Sequence, residues 1–303
     1  MITHDDIRRA YDTIGPYLRR TPVAQLDLTG PVTLKLEQLQ YAGSFKARGA
    51  FTNLLLRDVP PSGVAAASGG NHGVAVAFAA HRLSIPARIF VPTVASPAKI
   101  ERIRQLADLV ITGDRYADAL AAAQQWIATS GAMSVPAYDQ RETILGQATL
   151  ALELDEQAGP LDTVLVPVGG GGLIAGIAAY FSGTVRVIGV EPDGAPTLAR
   201  ARAAGAPVDA PAGSIAVDAL APRRVGDLVF PITESSVEDV LLVDDDAIRG
   251  AQRTLWQSAR IAAEPAASVG VAALLTGAYK PAPGERVAVI IRGANMTAAQ
   301  LDS

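Results

Sequence analysis

The chain has 303 residues, 49% hydrophobic and 18% charged, enough for a large core and for two domains or one elaborate α/β unit. Its net charge of −4, with the basic residues scattered, excludes the clustered positive surface that a nucleic-acid partner requires. Without cysteine, disulfides, thiolate chemistry and cysteine-bound zinc are excluded.

The opening "MITHDDIRRA" is polar and acidic and holds no apolar signal core. Stretches 63–80 and 163–185 are uncharged for about membrane length, but glycines interrupt both and Pro167 interrupts the second, so neither reads as a spanning helix. A soluble, cytoplasmic protein is expected. The first clear strand is "VTLKL" (32–36). "YAGSFKARGA" (41–50) then leads into a helix, with Ala47, Ala50-Phe51 and Leu54-Leu55 at helical spacing and Pro60-Pro61 ending the segment. Lys46 falls in its first turn, where the helix dipole disfavours a cation and lowers a lysine's pKa. Gly49 and Ala50, one turn on, are small enough to predict open space above the helix. A neutral amine beside open space suits imine formation; the alternative is a solvated lysine.

Next, "GVAAA" runs into "SGGNHG" (68–73) and a helix over 71–83. Ser68 and two glycines make a tight strand-to-helix turn whose outward N–H groups suit an anion, with Asn71 and His72 as further donors. A plain capping turn is the alternative. Strands "ARIFV" (87–91) and "DLVIT" (108–112) alternate with helices over 96–107, 115–129 and 143–158. "TVLVPV" (163–168) then enters four glycines, Gly169 to Gly172, and a helix over 173–181. No structural need for four glycines is evident and each costs conformational entropy, so backbone amides wrapping a phosphate are expected there. A rival reading fits the same stretch. Gly170, Gly172 and Ala175 match GxGxxA, and Glu191, ending "VRVIGV" (185–190), follows Gly170 by 21 residues, near the spacing of a ribose-binding acid. Alone, this stretch reads as an NAD-dependent oxidoreductase, which leaves Lys46 and the 68–72 turn unexplained. "RVAVII" (286–291) is the last strand. Strand and helix in turn imply parallel sheets of βαβ units; intertwined and consecutive lobes both fit.

Taken together, "GSFKARGA", "SGGNHG" and "VPVGGGGLIAGIA" resemble the lysine, substrate and phosphate motifs of the pyridoxal-phosphate-dependent threonine/serine dehydratase (ammonia-lyase) family, of the tryptophan synthase β-like fold type II. "GVEPDGAPT", "SIAVDALAPRRVG", "AAEPAAS" and "VAVIIRGAN" resemble its later landmarks, so the similarity covers nearly the whole chain. The resemblance implies an α/β fold of two intertwined lobes, with twisted, mostly parallel sheets flanked by helices. Residues 1–50 and 141–303 would form a large cofactor-binding domain and 51–140 a small one. It implies a homodimer or homotetramer that takes a small amino acid, with no nucleic-acid or membrane partner. The activity implied is α,β-elimination from a β-hydroxy amino acid such as L-threonine or L-serine, giving a 2-oxo acid and ammonia; a serine racemase or β-replacement enzyme of the same fold stays open.

The resemblance also assigns roles. Lys46 would bond the aldehyde of pyridoxal 5'-phosphate and remove the Cα proton. Phe45 would pack on the ring, Asn71 would bind its 3-oxygen, Glu264 would lie beside it, and Gly169, Gly170, Gly171, Gly172 and the amide of Leu173 would hold the phosphate. Ser68, Gly69, Asn71 and His72 would meet the substrate.

The chain also departs from the family's pattern. Gly69 stands where racemising relatives place a second serine that reprotonates Cα, which disfavours racemisation. Arg292 stands where the family places serine or cysteine against the pyridine nitrogen; pointing inward it could only donate a hydrogen bond, and turning to solvent is the alternative. Glu191 and Ala195 match two positions of a cation site, with Thr197 where its second acid would be; no other metal site is expected. The chain ends at Ser303, so end-product control through an appended regulatory domain is not expected.

Overall fold

The structure, a computed structural model, describes residues 2–220 and 222–297; Ala221, within the SIAVDALAPRRVG stretch, and the end through Ser303 lie outside the described residues. Among the described residues two sheets form. The larger contains β1 (Val23–Asp27), β2 (Pro31–Leu36), β7 (Thr163–Pro167), β8 (Arg186–Pro192), β9 (Asp239–Val243) and β10 (Val287–Ile291) in the order β1-β2-β10-β7-β8-β9. The smaller contains β3 (Val64–Ala67), β4 (Ala87–Val91), β5 (Asp108–Ile111) and β6 (Met133–Ser134) in the order β5-β4-β3-β6. Every pair is parallel except the β1–β2 hairpin, where Val23 faces Lys35 and Asp27 faces Pro31. That hairpin departs from strict strand–helix alternation, and β1 ("VAQLD") is accordingly a half-exposed edge strand. The central strands β7 and β10 are buried at every position, as parallel strands covered on both faces must be.

Helices cover both faces of the large sheet. Pro265–Thr276 packs across β7 to β10, and a Cβ at Gly270 would come within 2.7 Å of Val289 Cγ1. On the side of the Lys46 motif, Lys46–Leu56 crosses Arg141–Ala158 at two glycines: a Cβ on Gly146 would lie 2.7 Å from Gly49 Cα, and one on Gly49 would lie 2.5 Å from Gln147 Nε2. The smallness of Gly49 therefore serves a close helix crossing and does not leave open space. Beneath the crossing, Arg48 and Lys35 are fully buried with Glu37 and Glu153. Arg48 donates to Glu37 at 2.8 Å and to Glu153 at 2.8 Å, and Lys35 donates to Glu153 at 2.7 Å. Two cations against two carboxylates leave no net charge inside. No helix among the described residues is long and apolar enough to cross a membrane.

Candidate active site

The motif residues meet where strands end. The segments after β3 (Ser68–Gly70), β6 (Val135–Asp139), β7 (Val168–Gly171) and β10 (Arg292–Asn295) all leave carboxyl ends of strands, where open α/β sheets place their ligand crevice. An antiparallel bridge between Ser44 and Gly293, with the Phe45 amide on the Arg292 carbonyl at 3.1 Å, docks the Lys46 helix onto the end of β10.

Lys46 opens its helix, and its Nζ donates to the Ala137 carbonyl at 2.5 Å. Burial, reinforced by the Arg292 guanidinium, pushes its amine down to about 7. The causes are thus desolvation and a neighbouring cation, where the sequence pointed to the helix dipole. Phe45, 3% exposed, is close to both, with Lys46 Nζ 5.2 Å and Arg292 Cζ 5.1 Å from its ring centre. Arg292 therefore turns inward. It is 3% exposed, its Nη2 donates to the Ala219 carbonyl at 3.1 Å, and its Nε stands 3.7 Å from Glu264 with no hydrogen-bond partner.

Glu264 is the N-cap residue of Pro265–Thr276 yet makes no side-chain cap bond. Its carboxylate instead accepts both contacts of the Asn71 amide, at 2.7 and 3.0 Å. Asn71 Oδ1 accepts from Asn295 at 2.9 Å, so the Asn71 side chain is held between two elements of the large-sheet side. His72 is buried, and its Nε2 contacts the Val135 carbonyl at 2.7 Å. Burial first, then the Lys46 charge, push its pKa down to about 3, so the ring is neutral and Nε2 carries the proton to that carbonyl. Ser68 Oγ accepts the Gly70 amide at 3.1 Å, closing the turn. A Cβ at Gly69 would collide with the Ala95 methyl.

The glycines of the β7 turn have a packing reason that the sequence did not reveal. A Cβ at Gly170 would enter the Tyr138 ring, one at Gly172 would lie 3.0 Å from Tyr138 Cα, one at Gly169 would lie 3.1 Å from Leu220 Cα, and Gly171 (φ +87°) faces Val229 Cγ1 at 2.5 Å. With those sides closed, the amides of Gly170 to Leu173 meet no acceptor among the described residues, at the start of the ten-residue helix Gly172–Phe181.

Two readings find no support. Glu191 is fully buried, and its carboxylate accepts the amides of Leu198 (2.8 Å) and Ala199 (3.0 Å) at the start of Thr197–Ala204. It is committed to that helix and cannot bind a ribose, so the dinucleotide reading falls. The cation reading gains no support. Thr197 Oγ donates to the Ala195 carbonyl (3.4 Å) and the Pro222 carbonyl (3.1 Å), and no group of three metal-ligating side chains exists among the described residues. Conversely, Ala137, Tyr138 and Asn295 shape the site and were not singled out; only Asn295 carried a signal, as the end of "VAVIIRGAN".

Residues 14–293 match the family described as pyridoxal-phosphate dependent enzyme. Phenylserine dehydratase from Ralstonia pickettii is 38% identical over 293 residues, covering 93% of this chain and 90% of its own. L-threonine ammonia-lyase from Thermotoga maritima is 34% identical, covering 100% and 78%. The structure of maize serine racemase superposes with a TM-score of 0.92 at 33% identity, over 99% of this chain and 95% of that one.

Proposed function

Because the chain belongs to the pyridoxal-phosphate dependent enzyme family, we propose that it is an ammonia-lyase (dehydratase) converting a β-hydroxy amino acid, the class that includes L-threonine and L-serine, to a 2-oxo acid and ammonia. The residues present fit the cofactor. A buried amine near neutrality, unpartnered amides at a helix start, and the buried, unpartnered Ser44 Oγ and Arg292 Nε form a polar cradle. Gly169 to Gly172 and Leu173 would hold the phosphate, Phe45 would face the ring, Asn71 and Glu264 would line its edge, and Lys46 would bond the aldehyde. When bound, the group supplies an electron sink that acidifies the substrate's Cα–H bond.

Lys46 Nζ, uncharged above about pH 7, is the group that accepts the Cα proton. The Ser68–Gly70 turn and Asn71 orient the substrate carboxylate, while neutral His72 stiffens that turn through Val135. Hydroxide leaves Cβ as water, in net taking the proton that Cα gave up, and the released enamine takes up water to give the 2-oxo acid and ammonia. Arg292 would offer the bound group a hydrogen bond but no proton, because a guanidinium keeps its protons. The observation that carries elimination over racemisation is position 69, which has no proton donor and, against Ala95, no room for one.

The test is the reconstituted holoenzyme with L-serine and L-threonine, scored for ammonia and 2-oxo acid, alongside borohydride fixation of the cofactor to the Lys46 peptide. Lys46→Ala should abolish both. Wild-type product formation by Lys46→Ala would overturn the proposal, and D-serine appearing from L-serine faster than 2-oxo acid would replace it with a racemase.

A further inference from the structure

Next to Ala137, whose carbonyl holds the Lys46 amine, lies a cavity of about 260 Å³. Its floor is β3, through Ala65 and Ala67, and its wall is the apolar face of Tyr116–Ser130, through Leu120, Ala123 and Ile127. Three residues join it to the site: Ala137, whose carbonyl holds the Lys46 amine; Tyr138, whose ring packs on Gly170; and His72. A substrate with its Cα at Lys46 and its carboxylate on the Ser68–Gly70 turn has this cavity left for its side chain.

The lining restricts what enters. No lysine or arginine contributes, and His72 is uncharged. The acid present, Asp139, is committed to the amides of Asp227 (3.0 Å) and Leu228 (2.9 Å). Gln124 and Ser134 are exposed and sit at the rim. Tyr116 adds a hydroxyl at the same wall, so an ionised substituent would be desolvated without an opposite charge to balance it. Size points the same way, since an apolar cavity of about 150 Å³ already accepts benzene. The single methyl of threonine would leave most of this space to water against alanine and leucine side chains.

We propose that the cavity is a specificity pocket for a large apolar β-substituent, branched or aromatic, so that the preferred substrates are bulky β-hydroxy amino acids and not serine or hydroxyaspartate. This rests on the dehydratase reading above. Each buried methylene contributes about tenfold or more to discrimination, so the bulky substrates should lead by at least that factor.

The experiment is kcat/KM of the holoenzyme for L-serine, L-threonine, 3-hydroxyleucine, 3-phenylserine and 3-hydroxyaspartate. The expected order places 3-phenylserine or 3-hydroxyleucine at least tenfold above serine, with hydroxyaspartate last. In Leu120→Trp, which fills the cavity, the ratio of 3-phenylserine to serine should drop at least tenfold, with the visible cofactor band confirming a folded, loaded protein. Serine, threonine or hydroxyaspartate leading the panel, or an unchanged ratio in Leu120→Trp, would overturn the pocket. If no substrate releases ammonia, the dehydratase reading fails instead. The pocket is then read by titrating the cofactor band: tighter binding of 3-phenylserine than of serine supports it, and equal or weaker binding overturns it.

Discussion

The amine of Lys46 is kept reactive by what surrounds it, since burial and the Arg292 cation both disfavour its protonated form. Loading of pyridoxal phosphate onto the cofactor-free protein should therefore accelerate as pH rises through about 7 and level off above, followed as the visible band. Replacing Arg292 by leucine removes the like charge, so the amine's pKa rises and the midpoint should move to higher pH. An unmoved or lower midpoint would assign the shift to burial alone. At this scale the sequence was informative where chemistry leaves a mark in residue type, as at Lys46 and the Gly169 to Gly172 run. It was silent on the carbonyls of Ala137 and Ala219, because every residue carries one and only the fold decides which is presented. The inward turn of Arg292 was equally hidden, since it depends on Phe45 and Glu264, far away in the chain.

Between elements, the determining contacts are the glycine crossing of Lys46–Leu56 with Arg141–Ala158 and the ion group beneath it. Arg48→Ala would leave Glu37 and Glu153 buried with Lys35 alone to balance them, an expected loss of about 3–5 kcal/mol in denaturant unfolding. Arg48→Lys should fall well short of rescue, because one ammonium cannot reproduce a fork bonded to two carboxylates. Glu191 gives a pH signature of a second element. Burial raises its pKa from 4.5 to about 7, so the folded state holds a proton that the unfolded chain has released. Its contribution to stability thus falls as pH rises from about 4.5 to about 7 and is flat above. Glu191→Gln should flatten that slope in thermal unfolding; an unchanged slope would assign it elsewhere. Strands such as "TVLVPV" and "RVAVII" were legible because buried parallel strands are apolar on both faces. The edge strand β1 and the two-residue β6 were not, since one is half-exposed and the other too short to show a period. The four charges of this group, Arg48 included, span residues 35 to 153, and no local pattern joins them.

Across the whole molecule, the site takes groups from the neighbourhoods of both sheets and is closed by a few ties between them. Asn71 reaches Glu264, Arg102 reaches Asn295 at 2.9 Å, and buried Lys99 pairs with half-exposed Asp218. The last is a tie of about 1 kcal/mol, given its exposed partner. Asp218→Asn should therefore speed amide hydrogen exchange in Pro97–Arg104 about fivefold while Tm moves by a few degrees at most. Exchange accelerated equally in every helix would mean that the pair supports the global fold instead. Tyr138 carries a different lesson. Its ring fills the side of the glycine turn and Tyr138 also lines the cavity beside Lys46, so a single aromatic is a partition shared by two rooms. On the proposed site, any change at position 138 should be pleiotropic, altering anchorage and selectivity together. Helix Tyr116–Ser130 borders the second room, so on the proposed reading it is the variable through which new substrate ranges should be bred with the anchor left in place.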